Sequence, residues 1–279
     1  RDRSVSRGLG DVYKRQVMDR TLNNILYETS EYEDYEAFVN AKDKIIGKAH
    51  NNKGIGTLSE KTLHAVLKLY YEPDEDKHEV AMSGYYADIY NDKGIIEIQT
   101  RQLNKLRDKL SVFLQDYHVT VVYPLPFNKW LSWVNPDNGE VQGRRKSPRH
   151  FTEYDAFYEL YKIKSYLKNP NLSINLVLMD MEEYKLLNGW SYDKKRGSTR
   201  YDRVPAGIRR IVKFDRIEDY MQLVPADLKE DFTVKDFAMA AGVSVEASRY
   251  TLNILNYLEI VKRTGRVKNG YVYNVTEEF

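Results

Sequence analysis

Tyr85-Tyr86-Ala87-Asp88-Ile89-Tyr90, followed across Asn91-Asp92-Lys93-Gly94 by Ile95-Ile96-Glu97-Ile98-Gln99-Thr100, is the stretch that decides how this chain folds. It reads as two apolar strands joined by a tight turn, with one acid set into each. A carboxylate is costly to bury, so an Asp and a Glu inside paired apolar runs require compensation. Strand side chains alternate, which puts Glu97 and Gln99 on one face and Ile96 and Ile98 on the other. Pairing across the turn brings Asp88 near Glu97. Two converging carboxylates with an amide beside them make an oxygen-rich site suited to a hard divalent cation.

Outward from this pair the pattern is helix, three strands, helix, strand. Ser59-Glu60-Lys61-Thr62 opens a helix with Leu63, Val66, Leu67 and Tyr70 at helical spacing, ended by Pro73. Strands are expected from His78 to Met82, Tyr85 to Asn91 and Ile95 to Thr100. Leu103, Leu106, Leu110 and Phe113 mark one stripe of a helix, and Val119 to Tyr123 is a fourth strand stopped by Pro124. Residues 128–150 read as an insertion bearing Trp130 and Trp133. A helix from Tyr154 to Leu167, a fifth strand from Ile174 to Met179, a short helix from Glu182 to Leu187 and a basic loop from Gly189 to Pro205 follow. The fold class is α/β with a mixed sheet flanked by helices.

After about Phe214 the pattern changes to helix (Ile217 to Leu223), helix (Val234 to Ala241), turn (Gly242-Val243-Ser244), helix (Val245 to Leu258) and a hairpin with a Gly- and Lys-containing tip. That order is a winged helix-turn-helix pattern. Leu252, Leu255 and Leu258 point to its small core, leaving Arg249, Tyr250 and Asn253 on outer surfaces of the third helix. Arg suits guanine and Asn suits adenine. Lys262, Arg263, Arg266 and Lys268 would set the wing against phosphates. Glu246, and Glu259 where glycine is frequent, count against DNA; a protein-interaction module is the alternative.

The expected domains are an N-terminal helical segment at 17–54, a nuclease-like α/β domain at 55–210 and a winged-helix domain at 211–279. Residues 1–16 resemble a translated sequencing adapter and are expected to be an artefactual, disordered leader. Excluding their five basic and two acidic residues takes the formal net charge from +2 to −1, so overall charge does not argue for nucleic acid. Local charge does. Arg144-Arg145-Lys146, then Lys194, Lys195, Arg196, Arg200, Arg203, Arg209 and Arg210, then the hairpin cations form three basic islands. Lys194, Lys195, Arg196 and Arg200 are the densest candidate phosphate donors, with Gly197 allowing close backbone approach. Trp130 and Trp133 beside Arg144 offer a stacking site for single-stranded bases or, more ordinarily, an anchor for the insertion. The absence of cysteine excludes disulfides and thiolate chemistry and suits a cytoplasmic protein. No apolar run approaches the ~20 residues that span a bilayer, so no membrane partner is expected.

The order helix, three strands, helix, strand, with Asp88 late in the second strand and Glu97-Ile98-Gln99 in the third, resembles the P-D-(D/E)-x-K, or restriction-endonuclease-like, nuclease superfamily over roughly residues 55–125. The resemblance implies that Asp88 and Glu97 hold Mg²⁺ or Mn²⁺ and that Gln99 occupies the usual lysine position. Glu60 matches an acid that some members use as a further ligand or base. Glutamine brings no charge, so Lys105 or Lys109 on the following helix would supply it. The whole chain also looks like an uncharacterised bacterial family carrying GIGTLSEKTLHAVLKLYYEP and IIEIQTRQ. The function expected is a metal-dependent nuclease delivered to DNA by a winged helix, with a homodimer allowed. The alternatives are a non-catalytic DNA-binding regulator with a degenerate nuclease-like domain, which Gln99 favours, and a protein-interaction module.

Overall fold

A computed structural model of the protein describes residues 35–51, 62–135, 137–190, 196–268 and 270–276, with side chains at 47–51, 188–190, 196 and 199 outside the description. Helices α1 (Tyr35–Asn51) and α2 (Thr62–Tyr71) precede strands β1 (His78–Met82), β2 (Tyr85–Asn91) and β3 (Gly94–Ile98). Helix α3 (Arg107–Asp116), strand β4 (Val119–Val134), strand β5 (Val141–Lys146) and one helical turn, α4 (Phe157–Leu160), come next. Two long strands follow, β6 (Leu172–Trp190) and β7 (Arg196–Phe214). Strand β8 (Phe232–Thr233), helices α5 (Val234–Ala240) and α6 (Val245–Tyr257), and strands β9 (Val261–Val267) and β10 (Gly270–Val275) end the chain. The fold is α/β, with a mixed seven-stranded sheet in the order β1-β2-β3-β4-β6-β7, β5 pairing with β4, and a three-stranded sheet β8-β10-β9.

The described residues form two compact units that do not follow chain order. One holds the described residues up to Asp76 with 126–150 and 177–211; the other holds 77–125, 151–176 and 212–276. In the second unit, β1, β2 and β3 are an antiparallel meander, and β3 lies parallel to β4 with Ile98 opposite Val122. A parallel neighbour needs a crossover, which α3 supplies. Its stripe Leu106, Leu110 and Phe113 is buried, as the spacing predicts. Gly94 begins β3 at φ +103, and a Cβ there would run into the backbone carbonyl oxygen of His118, which accepts from Ile95 N at 2.9 Å. Gly94→Ala combines left-handed strain with a backbone clash, so it should cost about 2 kcal/mol or more. Urea denaturation checks this; a loss below about 0.5 kcal/mol, an ordinary surface substitution, would show that the turn relaxes freely.

Strand β4 does not stop at Pro124. Val122 O accepts from Gln99 N at 2.9 Å, so Pro124, two residues on, turns its nitrogen to the same side, where β3 has ended at Ile98. A proline is tolerated in a strand where no ladder bond is required of it. The predicted insertion at 128–150 is the far half of β4 hairpinned onto β5, with Trp130 opposite Lys146. The segment predicted to be a short helix from Glu182 to Leu187 is strand, and the predicted basic loop is largely β7. Residues 174–184 are all buried, so no period of two shows in the sequence, and propensity alone misreads the Glu pair. The helix predicted for Tyr154 to Leu167 is α4 between two 3₁₀ turns, broken at Ile163 (φ −115, ψ 18).

The C-terminal helices and hairpin appear in the predicted order as α5, α6, β9 and β10, but Ile217–Leu223 is a 3₁₀ turn and the short strand β8 was not predicted. Thr233 and Asp236 form a capping box at α5, and the Ser244 hydroxyl accepts from Ala247 N at 3.1 Å to cap α6. Phe232, Phe237, Leu252, Leu255 and Leu258 are fully or almost fully buried. Glu259 sits at φ +69, where Ile260 N donates to Leu255 O and Glu259 N to Asn256 O. Those two bonds are a Schellman closure, which explains why glycine is usual at this position. No helix among the described residues is long and apolar enough to cross a membrane.

Candidate active site

The β2–β3 pairing sets Ile89 opposite Ile96 and Tyr90 opposite Ile95; one step further along the same register puts Asp88 opposite Glu97. Asp88 Oδ2 accepts from Ile98 N at 2.7 Å, which fastens the half-buried carboxylate across the hairpin. Glu97 is only 2% exposed. Lys109 arrives from α3, one residue before the buried Leu110, and its Nζ donates to Glu97 Oε1 at 3.0 Å, Oε2 at 2.9 Å and Tyr86 O at 2.6 Å. Three groups from two strands and a helix therefore meet: two acids and one ammonium.

The electrostatics follow from that grouping. Burial raises the Glu97 pKa most, and the neighbouring Asp88 carboxylate adds to the rise. The Lys109 ammonium opposes both, and the balance leaves Glu97 at about 7. Two acids and one ammonium thus share the site, and burial holds one of the acids against ionisation.

The remaining predicted site residues separate. Gln99 donates its amide to Arg101 O and Gln102 O, closing the turn that leads to α3. Its side chain is used by the backbone in place of the expected contact with water or phosphate. Lys105 is exposed on the 3₁₀ turn Leu103–Leu106. Glu60 lies outside the described residues, as do Lys194 and Lys195, and the side chain of Arg196 is not described. Among the described residues no group of three or more His, Cys, Asp or Glu side chains is placed to hold a metal ion.

Several cations of the first two basic islands pair with buried acids, while Arg144, Arg145, Lys146, Arg200 and Arg210 keep exposed surface. Strand β6 carries three buried acids that sequence reasoning passed over, Asp180, Glu182 and Glu183. Asp180 Oδ2 accepts from Arg209 Nη2 at 2.8 Å, and Asp180 Oδ1 from Asn128 Nδ2 at 2.9 Å. Glu182 Oε1 accepts from Arg144 Nη2 at 2.7 Å. Glu183 gathers Arg200 at 3.3 Å, Lys129 at 3.5 Å and Lys185 at 3.8 Å. Arg200 and Arg144 are thus committed to acids of the same sheet. Trp130 is 7% exposed beneath Arg144 and Lys146, which excludes it as a stacking platform for bases. The available signal was the presence of Asp180, Glu182 and Glu183 at the end of an apolar run.

On α6, Arg249 is exposed, but Tyr250 packs edge-on against Tyr158 and Tyr161, and Asn253 Oδ1 accepts from Lys164 Nζ at 3.0 Å. Two of the three predicted base-reading residues are therefore engaged within the chain. Lys262, Arg263, Arg266 and Lys268 are all exposed on β9 and its turn.

Residues 61–215 match the model of a domain of unknown function, DUF8091. An uncharacterised protein of Treponema pallidum (strain Nichols) is 29% identical over 208 residues, which cover 72% of this chain and 79% of the relative. No solved structure matches. The matched domain contains Asp88, Glu97 and Lys109 and ends before the three-stranded sheet.

Proposed function

The chain belongs to the DUF8091 family, and since that description assigns no activity, we propose from the site itself that the protein is a metal-dependent nuclease acting on DNA. One observation carries the reading: Asp88, Glu97 and the Lys109 ammonium are brought together by β2, β3 and α3. The run α2, β1, β2, β3, α3, β4, with β3 parallel to β4, supports a restriction-endonuclease-like arrangement. The order β8, α5, α6, β9, β10 supports a winged helix. Lys109, on the helix after β3, takes the part that Gln99 leaves empty.

The donors fit magnesium or manganese. Magnesium accepts one or two carboxylates and keeps several waters, which suits two acids on facing strand positions. The raised Glu97 pKa is what a buried acid beside another acid shows, and a cation relieves it. When bound, such an ion supplies a water acidic enough to attack near neutral pH and neutralises charge on the phosphate. Asp88 and Glu97 would hold it. Lys109 would direct a proton donor at a non-bridging phosphate oxygen, and Gln99 keeps the β3–α3 turn closed so that Lys109 stays over the acids. Lys105, one turn earlier, would meet the substrate backbone further out. A cytoplasmic location suits DNA and a chain with no cysteine, and a homodimer would present one such site to each strand.

A second reading has its own support: both Glu97 oxygens already accept from Lys109, as in a site retired from catalysis. One assay decides. Supercoiled plasmid is incubated with the protein and Mg²⁺ or Mn²⁺, and again with a chelator. Nicking that requires Mg²⁺ or Mn²⁺ and is abolished by the chelator is the expected result. DNA binding with no nicking under either ion would establish the non-catalytic regulator and overturn the nuclease.

A further inference from the structure

We infer that the β9–β10 hairpin, and not α6, is the surface that grips duplex DNA. The inference rests on the DNA reading above and deepens it by naming the contact.

The first observation concerns α6. Tyr250, Asn253 and Tyr257 lie three and four residues apart, one face of a helix. That face is covered from within the same unit. Tyr158 and Tyr161 pack on Tyr250 at 5.1 and 5.6 Å between ring centroids. Lys164 Nζ donates to Asn253 and stands over Tyr257 at 5.1 Å, with Lys168 over the same ring at 5.2 Å. Lys168 also pairs with Glu259 at the helix end. The charges that α6 leaves exposed at its start are Glu246 and Arg249, of opposite sign, beside the apolar Val245.

The second observation concerns the hairpin. Lys262, Arg263, Arg266 and Lys268 are exposed, and no acid occurs from Val261 to Val275. Strict alternation would put Arg263 and Arg266 on opposite faces. The register instead shifts at Val272/Tyr273, where Val272 pairs with Gly265 and Tyr273 with Arg263. An extra residue on one strand swings its neighbours onto a common face. Both guanidinium groups therefore lie over Tyr271, at 4.2 and 4.7 Å, and Arg266 Nη2 donates to the Tyr271 hydroxyl at 2.7 Å. A stacked guanidinium is already ordered before it meets a phosphate, so less side-chain freedom is lost on binding. A seven-residue strand is roughly 23 Å long, and a two-stranded ribbon enters the major groove of B-form DNA. The deep, narrow major groove of A-form RNA excludes it.

The test uses the full chain and a short labelled duplex, with chelator present so that no cleavage occurs. Affinity is measured over a series of salt concentrations. Arg263→Ala with Arg266→Ala should weaken binding roughly 10-fold or more and reduce the slope of log K against log salt by about 2, the value for two lost phosphate contacts. Arg263→Lys with Arg266→Lys should keep most of the slope. Arg249→Ala and Asn253→Ala should change affinity little. A loss of about tenfold or more from Arg249→Ala or Asn253→Ala, with the hairpin variant unaffected, would mark α6 as the base-reading element and overturn the inference. So would tighter binding to single-stranded DNA or duplex RNA, or no binding at all. Metal-dependent nicking by the hairpin variant at high DNA concentration is read separately, so the catalytic reading stands or falls independently.

Discussion

Glu97→Gln is expected to lower metal-dependent nicking by roughly 10²–10³-fold and to flatten the pH dependence of folding. The first effect follows from removing one of two carboxylates that face each other across the β2–β3 hairpin, a loss comparable to deleting a preorganised charge-stabilising group. The second follows from linkage. Glu97 is held at about 7, against an ordinary value of 4.5, by burial first and by Asp88 second. The folded chain therefore binds this proton more tightly than the unfolded chain does. Its contribution to stability is complete below the ordinary carboxylate value and is lost as pH rises through about 7. At ~1.4 kcal/mol per unit, the loss across that window is about 3 kcal/mol. Glutamine keeps the shape and cannot ionise. Urea denaturation at the two ends of the window should show the wild type losing stability toward the alkaline end and Glu97→Gln losing much less. Identical pH profiles would remove Glu97 as the titrating group, and undiminished nicking would remove it from the site.

The larger loss of stability is expected at a position with no part in the proposed chemistry. Asp180 is completely buried in β6 and accepts from Asn128 N at 3.2 Å, Asn128 Nδ2 at 2.9 Å, and Arg209 Nε and Nη2 at 3.2 and 2.8 Å. Asp180→Ala deletes the acceptor shared by both neighbours and takes from the Arg209 guanidinium, 19% exposed, the buried carboxylate it pairs with. Removing one member of a buried ion pair costs about 3–5 kcal/mol, because the surviving charge is desolvated without compensation. A fall of that size in urea stability, with Asp180→Asn intermediate, is the expected outcome. A cost under about 1 kcal/mol would show that Arg209 finds water once Asp180 is gone, as in an exposed pair.

These two residues also mark how far the sequence could be read. Asp88 and Glu97 were legible as partners because a turn signal and two short apolar runs lie within sixteen residues, and hairpin register is a local property. Asp180 was not. Its partners Asn128 and Arg209 stand 52 and 29 residues away, and nothing local links an acid in an apolar run to an amide in what read as an insertion or to an arginine beyond the predicted loop. Lys105 and Lys109 were equal candidates on spacing. Only the setting of α3 on the sheet put Lys109 over Glu97, while Lys105 fell at an exposed position of the 3₁₀ turn before it. The leucine stripe of α6 revealed which side faces its own core. It was silent about Lys164, 89 residues earlier, covering the opposite side at Asn253.

By itself the sequence determined the elements whose cause is local: the meander β1–β2–β3, the stripe of α3, the capped pair α5 and α6, and the hairpin after them. Apolar periodicity, turn residues and caps act over a few positions, and each is visible in the string of letters. Tertiary structure decided the length of β4, β6 and β7, the choice of Lys109, the burial of Trp130, and which cations remain available outside the fold. Those outcomes depend on which distant strand or helix lies alongside. Burial turns a charge into a demand for a partner, and the partner is chosen by three-dimensional proximity rather than by separation along the chain.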